Sequence, residues 1–142
     1  RTVVSSTSES FVGLAFDSNN SILYGVTPET DALYTINTTT GASSIIGSGL
    51  GITGGISINT GLAYDIGLGQ LFLTRSAFDA NDGLYLVDPL TGSASSQGGF
   101  GQTGNFSGLA STAATAVPEP SSAILISLLS LGLVVHRRQR RS

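Results

Sequence analysis

Few residues in this sequence could carry out nucleophilic or metal-bound chemistry. Among its 142 residues there is no Cys and a single His, His136. That excludes a thiolate nucleophile, a Cys-ligated zinc or iron–sulfur site and a disulfide framework. It also excludes a His-rich metal site and leaves little to build a Ser-His-Asp triad from. Carboxylates remain. A pair such as Asp17 and Asp65 could in principle serve glycoside hydrolysis. Asp17-Ser-Asn-Asn-Ser21 and Asp79-Ala-Asn-Asp-Gly83 resemble the start of a calcium loop. Such a loop needs Gly at its sixth position and Glu at its twelfth. The first run has Ile22 and Pro28 there, and the second has Leu84 and Leu90. Both therefore read as turns. Gly49-Leu-Gly51-Ile-Thr-Gly54 and Gly99-Phe-Gly101-Gln-Thr-Gly104 match a glycine-rich phosphate cradle. No helical pattern follows either copy, as a dinucleotide site requires. They read as linkers. No catalytic set, metal or cofactor is expected.

The stronger signal is recurrence. Gly13-Leu-Ala-Phe-Asp17 returns as Gly61-Leu-Ala-Tyr-Asp65, 48 residues on. Leu33-Tyr-Thr-Ile-Asn37 returns as Leu84-Tyr-Leu-Val-Asp88 at an offset of 51. The second copy thus holds three extra residues, around Phe78 to Asp82. A third copy starts at Gly108-Leu-Ala110 and stops. Each copy contains short apolar runs separated by Gly, Asn, Asp and Thr, the pattern of strands and tight turns. The spacing predicts strands near 11–17, 21–27, 32–37 and 42–47, then 61–66, 70–75, 83–88 and 93–97. Alternation of Leu33, Thr35 and Asn37 with Tyr34 and Ile36 predicts a sheet with two distinct faces. Because Asp17 and Asp65 recur, as do Asn37 and Asp88, turn capping is their expected role. Tyr24, Tyr34, Tyr64 and Tyr85 mostly hold repeat positions and are expected in the core.

Four short strands in about 48 residues is the pattern of a β-propeller blade. The expected fold is all-β: about two propeller-like blades of four antiparallel strands each, then a single C-terminal apolar helix. The body, over roughly residues 11–110, resembles exported bacterial propeller repeats with a Leu-Tyr-x-Ile-Asp/Asn…Thr-Gly signature. The expected division is an N-terminal remnant (1–10), repeat 1 (11–54), repeat 2 (55–104), a partial third repeat and spacer (105–116) and a terminal segment (117–142). Two blades leave two apolar faces open, since each blade buries its faces on neighbours.

Charge divides the chain. There is no Lys, and four of the six Arg lie in the last six residues. Residues 1–116 carry two Arg against eight acids, a balance of −6. Residues 117–142 carry four Arg against Glu119, a balance of +3. An acidic body argues against nucleic acid as a partner.

The terminal segment opens with Val117, Pro118, Glu119 and Pro120. After Ser121 and Ser122 comes an uncharged run of 13 residues. Its apolar members are Ala123, Ile124, Leu125, Ile126, Leu128, Leu129, Leu131, Leu133, Val134 and Val135. The basic cluster Arg137, Arg138, Arg140 and Arg141 follows. As a helix the run rises about 20 Å, against a hydrocarbon core of about 30 Å. Basic residues after it place that end in the cytoplasm and the body outside. Pro-Glu-Pro, a short apolar helix and a terminal Arg cluster resemble the PEP-CTERM sorting signal of bacterial exported proteins.

That resemblance implies export through an N-terminal signal peptide, then recognition by an exosortase, a membrane-embedded transpeptidase-like enzyme. Processing near Val117–Pro120 would release the body to the cell surface or extracellular matrix of an exopolysaccharide-producing bacterium. Implied partners are the export machinery, the exosortase, the inner membrane before processing, and exopolysaccharide. The implied product is a non-enzymatic surface protein. The alternative is a piece of a propeller enzyme or ligand-binding sensor whose active site lies in upstream blades. Arg1-Thr-Val-Val-Ser-Ser has no apolar core, and the sequence holds no Met. Both suit a chain from which a signal peptide has been lost.

Overall fold

The structure is a computed structural model and describes residues 9–101 and 108–111. The sorting motif Val117–Pro120, the apolar run 123–135 and the Arg cluster lie outside these residues. So do half of the linker at 99–104 and most of the spacer.

The described residues form two four-stranded antiparallel sheets and no helix. The first holds β1 (Gly13–Asp17), β2 (Ile22–Thr27), β3 (Ala32–Ile36) and β4 (Ser43–Ile46). The second holds β5 (Gly61–Asp65), β6 (Gln70–Arg75), β7 (Gly83–Val87) and β8 (Ala94–Gly99). In each, strand order follows chain order. Every strand falls within a residue or two of its expected place.

The turns follow from side chains that can imitate a backbone turn. Asp17 Oδ1 accepts the Asn19 N–H at 2.9 Å and the Asn20 N–H at 3.2 Å, which closes β1 onto β2. Asp65 takes that place in the second sheet and accepts the Leu68 N–H at 2.9 Å. Asn37 accepts from Thr39 and Thr40, and Asp88 accepts from Leu90, between the third and fourth strands of each sheet. Gly41 and Gly92 close these last turns with positive φ, at 75° and 73°. All four residues therefore cap turns, as their recurrence predicts.

The sheets lie face to face, with β1 against β5. Cross-strand partners share a face, so the registers assign the sides. Ala15, Tyr24, Val26 and Leu33 of the first sheet meet Leu62, Leu71, Leu73, Tyr85 and Val87 of the second in one apolar core. The opposite face of the second sheet carries Ala63, Phe72, Leu84 and Leu86. The alternation expected of β3 is present, and both of its sides are covered. Leu33 and Tyr34 point to opposite sides, yet both are buried. Leu33 enters the shared core. Tyr34 is covered by Phe11, whose ring meets it edge-on at 5.7 Å.

The linker is structural, and more than a spacer. Leu50, Ile52 and Ile56 belong to the core that both sheets share. The Leu50 N–H donates to the Asp31 carbonyl at 2.7 Å, and the Leu50 carbonyl accepts from Ala94 at 2.8 Å. One residue thus bonds to both sheets.

Candidate functional site

Among the described residues, the densest group of charged side chains surrounds Arg75, at the end of β6. Thr27 holds the matching place in the first sheet. The guanidinium is fully buried. Its Nε donates to the Gly55 carbonyl of the linker. Nη1 donates to Asp79 at 2.6 Å and to Asp82 at 3.2 Å, and Nη2 donates to Asp79 at 2.8 Å. The Asp79 pairing is bidentate, the geometry a planar guanidinium favours.

The three extra residues of the second copy create this arrangement. Four residues join β2 to β3, whereas seven join β6 to β7. The longer loop carries Asp79 and Asp82 back over Arg75. Asp82 also accepts the Ala77 N–H at 2.6 Å and the Phe78 N–H at 2.9 Å. Asn81 reaches across to the Thr53 carbonyl at 3.3 Å. The loop is therefore tied to its own strand and to the linker. The hydrogen bond from Arg75 is the main reason the Asp79 carboxyl falls to about 2. Asp31, in contrast, is raised by burial, against the opposing pull of the Ile56 N–H and of Arg75.

Chemically this cluster is a clamp. Arg75 directs donors at Gly55, Asp79 and Asp82, and burial leaves it no open approach for an anion. Among the described residues no buried side-chain polar atom lacks a partner. No group of three or more His, Cys, Asp or Glu there is arranged to hold a metal ion. Asp79 and Asp82, from the calcium-like run, are turned toward Arg75. In the other such run Asp17 Oδ2 accepts from the Asn20 side chain at 2.7 Å. Burial works to raise the Asp17 carboxyl. Bonds from the Asn20 side chain and backbone, Asn19 and the Tyr64 hydroxyl outweigh it, and its pKa is lowered.

Asp17 and Asp65 occupy equivalent turns on successive sheets and do not face each other across a cleft. Tyr24, Tyr34 and Tyr85 are buried, and Tyr64 stacks on Tyr24 at 6.1 Å. None is free to form a sugar-stacking platform. Two shallow depressions lie at matching corners of the sheets. One is lined by Ile22, Thr35, Asn37 and Ser44, the other by Gln70, Leu86, Asp88 and Ser95. Each pair of lining residues is related by the repeat, so the depressions belong to the fold.

Sequence reasoning missed the Arg75 clamp. Its signal was the only Arg between Arg1 and the terminal cluster, followed at once by an acidic insertion.

No family model matches the chain, and no curated protein matches it. Among solved structures it is similar to a protein of unknown function from Bacteroides thetaiotaomicron. The two are 19% identical, with a TM-score of 0.49. The match covers 59% of this chain and 20% of that one, so it spans a fifth of the other protein's length. Among the described residues no helix is long and apolar enough to cross a membrane.

Proposed function

We propose that this chain is an exported, non-enzymatic surface protein whose C-terminal segment is a PEP-CTERM sorting signal. The observation that carries the reading is the ordered tail: Pro118-Glu119-Pro120, the apolar run 123–135, then Arg137, Arg138, Arg140 and Arg141. Each part has a physical role. The Pro-Glu-Pro motif is what the processing enzyme recognises on this reading, and Pro resists helix continuation, which sets the motif apart from the apolar run. The apolar run enters the bilayer, and the arginines hold its end on the cytoplasmic side. Exosortase and the export machinery are the partners on this reading, and exopolysaccharide is the matrix the released body meets.

The body fits a passive role. Its carboxylates cap turns or pair with Arg75, and its tyrosines pack. On the same reading each four-stranded sheet is a propeller-type blade, supported by its strand order and by the contact of first strands between sheets.

Processing in an exosortase-bearing host tests the sorting claim. Pro118→Ala with Pro120→Ala, or deletion of 137–141, is expected to leave an unprocessed, cell-associated chain, while the native chain is shortened and released. Full-length, cell-bound protein in every case would overturn the reading.

A further inference from the structure

The contact between the two sheets is repeated at the end of the body, and the repeat is incomplete. At the first joint, Leu62 is buried against β1. A Cβ placed on Gly13 would stand 3.0 Å from the Leu62 Cβ. Tyr64 stacks on Tyr24, and its hydroxyl bonds to Asp17. Residues 108–111 make the same step onto the outer face of the second sheet. A Cβ on Gly61, the counterpart of Gly13, would stand 2.7 Å from the Leu109 backbone N. Ser111 Oγ donates to Asp65 Oδ2 at 2.9 Å, at the place where the Tyr64 hydroxyl acts on Asp17 in the first joint.

Among the described residues, the second joint lacks the ring. Ser111 stands where Tyr64 stood. Phe72, the counterpart of Tyr24, is half-buried, and among the described residues no aromatic ring stacks on it. A depression remains there, lined by Ala63, Asp65, Phe72, Leu84, Leu109 and Ser111.

At the other end of the body the missing group is present and uncovered. Leu14 and Phe16 are the counterparts of Leu62 and Tyr64, yet they are 55% and 49% exposed, whereas Leu62 is 4% exposed. Both lie on the side of β1 that faces away from the second sheet. Phe11 already fills the middle of that side, over Gly25. The sequence Gly13-Leu-Ala-Phe matches Gly108-Leu-Ala-Ser, with an aromatic in place of Ser111.

We propose that β1 of a second copy of this chain docks on the outer face of the second sheet. It takes the place of residues 108–111 and stacks Phe16 on Phe72. The two surfaces differ, so the contact is head-to-tail and leads to rings or filaments rather than a two-fold dimer. The inference rests on the recurring joint and holds whether or not the tail is processed.

The test uses the full chain held in a nonionic detergent. The protein has no Cys, so introduced thiols report cleanly. Phe16→Cys and Phe72→Cys chains, mixed under oxidising conditions, are expected to give a crosslinked pair far above either chain alone. Sedimentation of the native chain should show mass rising with concentration. Phe16→Asp or Leu14→Asp should weaken that association at least tenfold, while the unfolding midpoint measured at a dilution where the native chain is monomeric stays unchanged. Predominant Phe16→Cys self-crosslinking would mean a two-fold contact and overturn the proposal. Association that Phe16→Asp leaves intact would assign it to the tail or the micelle, and would overturn it too. A monomer whose midpoint drops on Phe16→Asp would mean that residues 1–8 cover the face, and the proposal would fall on that result as well.

Discussion

Arg75 shows what one side chain contributes when a repeat departs from its own pattern. A buried guanidinium is costly to desolvate and is kept only with good partners. Here Gly55, Asp79 and Asp82 supply them. Arg75→Ala leaves Asp82, itself buried, without its cation. It is expected to cost about 3 kcal/mol, reduced from the upper end because Asp79 is partly solvent-exposed. Chemical denaturation followed by tyrosine fluorescence measures it, and a loss below about 1 kcal/mol would contradict the clamp. The same carboxylates set the acid response. Asp17, Asp65, Asp79 and Asp88 are all held below the ordinary aspartate range in the folded chain. A depressed carboxyl stabilises the fold above its unfolded pKa, and that contribution is lost as pH falls through the folded pKa. Glu29 is lowered as well, and Asp31, shifted upward, acts oppositely as one against five. The unfolding midpoint should therefore hold from about pH 7 to about 4 and decline toward about pH 2. Asp79→Asn should flatten the lowest part of that decline, where its folded value of about 2 lies.

At the scale of elements, the linker shows how a glycine-rich run with the look of a phosphate cradle is built into the packing between two sheets. Leu50 is fully buried between the sheets, while Leu90, at a turn tip, is 87% exposed. Leu50→Ala should cost about 3 kcal/mol by transfer and cavity terms. Leu90→Ala should stay within about 0.5 kcal/mol. Equal losses in denaturation midpoints would refute a packed linker. Gly47 adds a backbone constraint: it has φ of 69°, and a Cβ there would lie 1.8 Å from the Thr91 carbonyl oxygen. Gly47→Ala forces the end of β4 away from the β7–β8 turn and should cost more than about 2 kcal/mol. The strands and turns were legible in sequence because each rests on neighbours along the chain. Asp17 and Asn37 bond to residues two and three places away. Burial of Leu50 and pairing of Arg75 with the linker were not legible, because they depend on where a second sheet lands. No local pattern separates a Leu in a loop from a Leu in a loop that lies between two sheets.

Across the whole molecule, the two sheets behave as one body because they share one core. Val26 and Leu33 come from the first sheet, Leu71 and Leu73 from the second, and Leu50 from between them, all fully buried. A four-stranded sheet with an uncovered apolar face lacks the burial that offsets its chain entropy. Stacked units gain stability from their interface as well as from themselves. Separate unfolding of either sheet would expose the partner's face, so it carries nearly the cost of unfolding both. A single cooperative transition is therefore expected, with coincident midpoints by tyrosine fluorescence and far-ultraviolet circular dichroism. Val26→Ala and Leu73→Ala lie in different sheets, and each should lower that one midpoint. Hydrogen exchange resolves the coupling strand by strand. Amides of β2 in the first sheet and β6 in the second should open with similar free energies, close to the global value. Val26→Ala should then speed exchange in β6 as well as in β2. If it speeds β2 alone, the sheets are independent units held by the linker, and the shared core does not couple them.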